Sequence, residues 1–267
     1  MRSTATISAG FILVLAVCSG GCFGTRAHDG FFLLRWVEKP SNRGLWEETP
    51  KRDRCEFSRV AVFDHRKDGA RFAEIRDGLR EGDVVGYWLS GGEVGRALVR
   101  GRLTKVLYGL FKYGHLGILV EDPEEPGRLV MFSSEGFKGP NVTEDVEALE
   151  GHSFDVFRLD QGSRLDVERL REFARLSMEK AGKWTGYDFS GMFGLWNDEL
   201  QPSQPEEIGK EYICSTTVIA ALYYSGVELE TTHRRGVLDV ITPLQVVASK
   251  GRIIVLPDMQ VEVVTFE

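Results

Sequence analysis

Apolar residues recur along this chain in two rhythms. Short apolar or alternating runs at Val84–Trp88 and at residues 115–120, 129–132 and 154–159 predict β-strands. Residues 59–63 fit a further strand, and residues 70–75 a short helix. An i, i+3, i+4 spacing joins Leu170, Phe173, Ala174, Ser177, Met178 and Ala181. It predicts a helix capped by Ser163, with Lys180 and Lys183 near its C-terminus and Gly182 at its exit. Residues 96–112 share that spacing and carry Arg96, Arg100, Arg102 and Lys105, which predicts a basic amphipathic helix against the core or an anionic membrane surface. Residues 214–225 have almost no polar face, so they predict a helix buried on most sides and ended by Gly226. Thr242 and Pro243 read as cap and first-turn proline of a final helix. Residues 253–256 and 261–264 read as closing strands.

The segments between are turn-rich. Residues 40–54 are polar and read as a loop, and residues 121–127 as an acidic hairpin connection. Residues 194–209 are long and polar enough for either a lid or a mobile surface insertion. The pattern as a whole predicts an α+β fold, an antiparallel sheet with the residue 214 helix packed across it.

The 267 residues carry a formal charge of −7, which gives no basic face for nucleic acid. The N-terminus stands apart. Met1-Arg2 leads into an apolar run at residues 11–17, too short to span a bilayer, and then Ser19-Gly20-Gly21-Cys22. A cysteine after small residues resembles a bacterial lipobox, so Cys22 is expected to be lipidated and to anchor the mature chain in the cell envelope. Cys18 is a poorer site, and a plain secretory signal or uncleaved anchor is the alternative. The expected organisation is a signal peptide over 1–21, a tether and N-terminal extension over 22–78, and a catalytic domain over 79–267.

Processing at Cys22 leaves Cys55 and Cys214. In an oxidising compartment a disulfide between them is the bland possibility. The reactive possibility starts from Cys214 at a helix N-terminus, where unpaired N–H groups and the helix dipole favour a thiolate. His115 opens a strand and can take the thiol proton. The hairpin brings Glu135, at the end of the next strand, within reach of His115, where a carboxylate orients the imidazole. Ser133 and Ser134 are weaker stand-ins. His28, His65, His152 and His233 form no metal-ligand spacing, and no phosphate loop follows a strand, so neither metal nor cofactor is expected.

The ordered set Gly82-Asp83-Val84-Val85, Gly114-His115-Leu116-Gly117-Ile118, Gly186-Tyr187-Asp188-Phe189, Ile213-Cys214-Ser215 and Ile241-Thr242-Pro243 resembles the YiiX-like branch of the NlpC superfamily. These are papain-like cysteine hydrolases with a circularly permuted chain order, distantly related to lecithin retinol acyltransferase. The resemblance covers residues 79–256. It implies Cys214 as nucleophile, His115 as general base and Glu135 as the orienting residue. The backbone N–H of Cys214 would bind the oxyanion, with Tyr187 and Ser215 beside the substrate. Tyr187 reads equally as aromatic packing. The expected activity is cleavage of an amide bond through an acyl-cysteine, with a cell-wall peptide, peptidoglycan, as first substrate. A lipid esterase or acyltransferase on the same pair is the alternative, and a non-catalytic envelope binding lipoprotein the second.

Overall fold

The computed structural model describes residues 46, 48–88, 112–123, 125–135, 138–181, 200–233 and 241–256, all but Lys112 within one compact unit. Its strands are β1 (Arg54–Phe63), β2 (Val84–Trp88), β3 (Tyr113–Glu121), β4 (Leu129–Glu135), β5 (Gly139–Asp145), β6 (Phe154–Leu159), β7 (Val227–Leu229) and β8 (Lys250–Ile253). They form one sheet in the order β5-β4-β3-β2-β6-β1-β8-β7, with antiparallel neighbours throughout. The helices are α1 (Phe72–Asp77), α2 (Val167–Lys180), α3 (Cys214–Tyr224) and α4 (Pro243–Val247). The protein is therefore α+β. Among the described residues, no helix is long and apolar enough to cross a membrane.

Strand alternation divides the core in two. One face gathers Phe63, Val85, Leu119, Met131, Phe154 and Val156 with Phe72 of α1. The other receives α2 and α3, with Phe132 of β4 meeting Phe173 of α2 edge-on. The expected α2 stripe is buried at Leu170, Phe173, Ala174 and Ser177. Its cap differs. Residues 162–164 form a separate single turn, and Asp166 caps the helix by accepting the Arg169 N–H at 3.1 Å. A carboxylate there meets the N-terminal end of the helix dipole. Helix α3 is buried almost all round, as its composition demands. Fully buried Val218, Ile219 and Leu222 each contribute about 1.5–3 kcal/mol of transfer free energy.

Two features extend the sequence reading. Strand β1, drawn from residues assigned to the N-terminal extension, lies between β6 and β8 inside the sheet. The sheet is thus built from both sides of residue 79. Strand β5 was not anticipated, because Gly139-Pro140-Asn141-Val142-Thr143-Glu144-Asp145 has little apolar content; it lies at a sheet edge, where such a sequence is tolerated. The closing strand β8 begins three residues before its expected start, and β7 was unforeseen. The expected strand at 261–264 and the basic helix at 96–112, save Lys112, lie outside the described residues.

The described part of the 194–209 insertion is fastened down. The Lys180 ammonium donates to the carbonyls of Pro205 and Ile208 at 2.7 and 2.9 Å, and Ile208 is buried. Residues 205–208 are thus tied to the C-terminal end of α2. Thr242 and Gln245 cap α4 reciprocally, with Pro243 in its first turn, as the sequence predicts.

Candidate active site

The beginning of β3 is irregular. Tyr87 pairs with His115 and Trp88 with Tyr113, so Gly114 is an extra residue on β3. A bulge of this kind reverses the facing of residues on its two sides. Tyr113 goes to the face where Gly86 lacks a side chain; a Cβ on Gly86 would lie 2.9 Å from the Tyr113 ring. His115 goes to the face of Tyr87. Buried Asp155 secures the bulge, accepting from the Tyr113 hydroxyl at 2.5 Å and the Trp88 indole at 2.8 Å, with Arg59 at 3.3 Å.

The nucleophile candidate arrives from α3, which has no side-chain cap at its first turn. The Thr216 hydroxyl accepts the Ile213 N–H at 2.9 Å, which fixes the entry into the helix without blocking the next N–H groups. The N–H groups of Leu116, Ser215 and Cys214 itself are near enough to the Cys214 sulfur to lower its pKa. The Leu116 donor comes from β3. Pairing of β3 with β4 runs from Glu121↔Leu129 to Ile118↔Phe132. Beyond it, side chains take over. The Ser133 hydroxyl donates to the Leu116 carbonyl at 2.5 Å, while the Leu116 N–H turns to Cys214. The Ser134 hydroxyl donates to the Tyr212 carbonyl at 2.6 Å, tying β4 to the residues that lead into α3. Both serines are therefore fasteners of this fork, which removes them as orienters of His115.

The sulfur thus sits against the residue that follows His115. Burial pushes the Cys214 pKa up, and the three N–H donors pull it down by less. The pull of the helix terminus on the Cys214 pKa is thus the smaller of the two effects. Burial also lowers the His115 pKa, against a smaller opposing pull from the Glu135 carboxylate. At rest both groups favour their neutral forms. His115 Nε2 is buried and has no hydrogen-bond partner among the described residues.

Glu135 ends β4 and is the charged group that acts on His115. The last β3–β4 pair is Ile118↔Phe132, and His115 and Glu135 each lie three residues beyond it on their own strands. The Glu135 carboxylate accepts from the Lys138 ammonium at 2.8 Å. Two separate interactions therefore lie at the start of β3: Leu116 N–H with the Cys214 sulfur, and the Glu135 carboxylate with the His115 ring. Ser215 is fully buried beside Cys214, and its hydroxyl has no partner among the described residues. Tyr187 and Cys22 lie outside the described residues. Cys55 and Cys214 are both free thiols, so the disulfide alternative is not realised.

Sequence reasoning missed three residues near this site. The Tyr87 ring lies 6.1 Å from that of His115. Its other neighbour is the His152 ring, stacked at 4.7 Å and 21°. The Tyr87 hydroxyl donates to Glu144 Oε2 at 2.5 Å, and His152 Nε2 lies 3.1 Å from Glu144 Oε1. Cross-strand pairing of Tyr87 with His115 is the one signal that was available for them. Among the described residues, no group of His, Cys, Asp and Glu is arranged to hold a metal ion. No protein-family model, curated protein or solved structure matches the chain.

Proposed function

We propose that the protein is a cell-envelope cysteine hydrolase of the permuted papain-like kind, anchored through a lipid on Cys22, that cleaves an amide bond. One observation carries the reading. The Cys214 sulfur rests at an uncapped helix N-terminus against the backbone of the residue after His115, and the His115 ring keeps a buried nitrogen unpartnered. The order of the site along the chain, histidine strand before cysteine helix, is that of the family the sequence resembles. A cell-wall peptide is the first substrate class.

The chemistry follows from two neutral partners. His115 removes the thiol proton as the sulfur attacks the amide carbonyl carbon, so no stable thiolate is required beforehand. The C–S bond forms and the carbonyl π pair moves onto oxygen. N–H groups at the start of α3, Cys214 first, are near enough to the sulfur to receive that oxyanion. The oxyanion collapses, the C–N bond breaks, and the imidazolium proton goes to the leaving nitrogen. Water, deprotonated by His115, then attacks the thioester. Acid is released and the thiol is restored. Glu135 stabilises the imidazolium in both halves of the reaction.

The test measures iodoacetamide alkylation of Cys214 from pH 5 to 10 in wild type and His115→Ala, alongside intact-mass detection of an acyl adduct with peptide amides. The expected result is a wild-type rate sustained near neutrality that falls about 10²-fold or more in the variant, in line with the loss of a general base. Identical profiles in the two proteins would refute the reading.

A further inference from the structure

We propose that Tyr87 is a positioning residue for His115, locked in place by Glu144 and His152; the inference rests on the hydrolase reading above. An imidazole works as a base only when its ring is turned correctly, and its final torsion is broad and soft. Since Nε2 has no hydrogen-bond partner among the described residues, no bond at that atom sets the ring. Its cross-strand neighbour Tyr87 lies alongside it, with ring planes 30° apart.

Tyr87 is itself held from two directions. Its hydroxyl is bonded to Glu144, and its ring face is stacked on His152. Glu144 and His152 contact each other, which closes a triangle of three contacts. The three residues come from β2, β5 and the turn before β6, so the brace joins separate parts of the sheet. Burial, then Glu144 and Glu135, drive the phenol pKa far upward, so Tyr87 stays a neutral donor. It transfers no proton in this scheme. It is a wall against which the His115 ring rests.

The experiment uses the full chain with Tyr87→Phe, Tyr87→Leu and Glu144→Gln. Cys214 alkylation is followed from pH 5 to 9, and the His115 ring resonances are recorded by NMR. The phenylalanine variant keeps the ring and loses the lock, and the leucine variant loses both. Expected are altered His115 resonances and a loss of about 10- to 100-fold in the His115-dependent rate, larger for leucine, as misplacement of a reacting group produces. A merely structural Tyr87 lowers the melting temperature yet leaves the pH profile and the imidazole resonances as in wild type, and that result overturns the proposal. If His115→Ala itself labels like wild type, the hydrolase reading fails first. If His115→Ala is impaired while all three variants match wild type, only the present inference fails.

Discussion

The two free thiols among the described residues, Cys55 and Cys214, occupy different environments. Cys55 lies on β1 against Gly251 of β8, 1% exposed, and its pKa is pushed up to about 12. Burial is the main cause, and the Asp160 and Glu56 carboxylates add to it against Arg164. Cys214 is also raised by burial, but N–H donors from two elements converge on its sulfur. Both thiol pKa values are raised, so the direction of the shift does not tell them apart. The difference lies in what can receive the proton and what can stabilise the charge after it leaves. Reactivity in a buried thiol is a property of its neighbours.

The largest expected contrast is in labelling. Cys55 reacts only when the core opens, so at pH 7 iodoacetamide should modify Cys214 at least about 10³ times faster, given ordinary opening free energies. Peptide mapping after timed alkylation measures the ratio. Comparable rates would erase the comparison.

Next comes alkaline stability. The Cys55 pKa is higher folded than unfolded, so the folded chain keeps its proton while the unfolded chain loses it above the ordinary thiol value of 9.0. This contribution is fully present below pH 9 and is lost as pH rises toward 12, at up to about 1.4 kcal/mol per pH unit. Urea unfolding of wild type and Cys55→Ala at pH 8, 9.5 and 11 should show the wild type losing more. Parallel losses would mean that Cys55 does not titrate on unfolding.

A smaller effect is expected at Gly251→Ala. A Cβ there would lie 2.9 Å from Cys55 Sγ and 2.9 Å from the Glu228 carbonyl oxygen. Backbone cannot yield as a side chain can, so the variant should lose about 1–3 kcal/mol in urea titration. Its Cys214 labelling should be unchanged. Least of all, Glu135→Gln removes a charge that His115 feels without a direct hydrogen bond. The alkylation rate at pH 6.5 should fall about tenfold or less. A larger loss would show that the carboxylate grips the ring during reaction.

Much of this was written locally. Alternation located β2, β3, β4 and β6, and helical spacing located α2, because each buries a single patterned face. Cys214 and His115 were visible as element starts, and Glu135 followed from hairpin geometry. What was hidden is long-range or unpatterned. Nothing near Arg54 tells that β1 enters between β6 and β8. Gly114 reads as an ordinary glycine until the bulge reverses Tyr113 and His115. Tyr87, Glu144 and His152 are polar contacts between segments far apart in sequence, and no period connects them. The burial that holds Cys214 neutral likewise depends on tertiary packing, which the helix terminus alone does not reveal.

The fork between β3 and β4 has one more consequence. The Leu116 amide lies beyond the last β3–β4 pair and acts on the Cys214 sulfur in place of a strand carbonyl. Any group attached to that sulfur changes that contact. Acylation would slacken the strand locally, and the Leu116 amide proton would exchange with solvent faster for as long as the thioester survives. On the hydrolase reading proposed above, exchange at that one backbone position would report the acyl-enzyme.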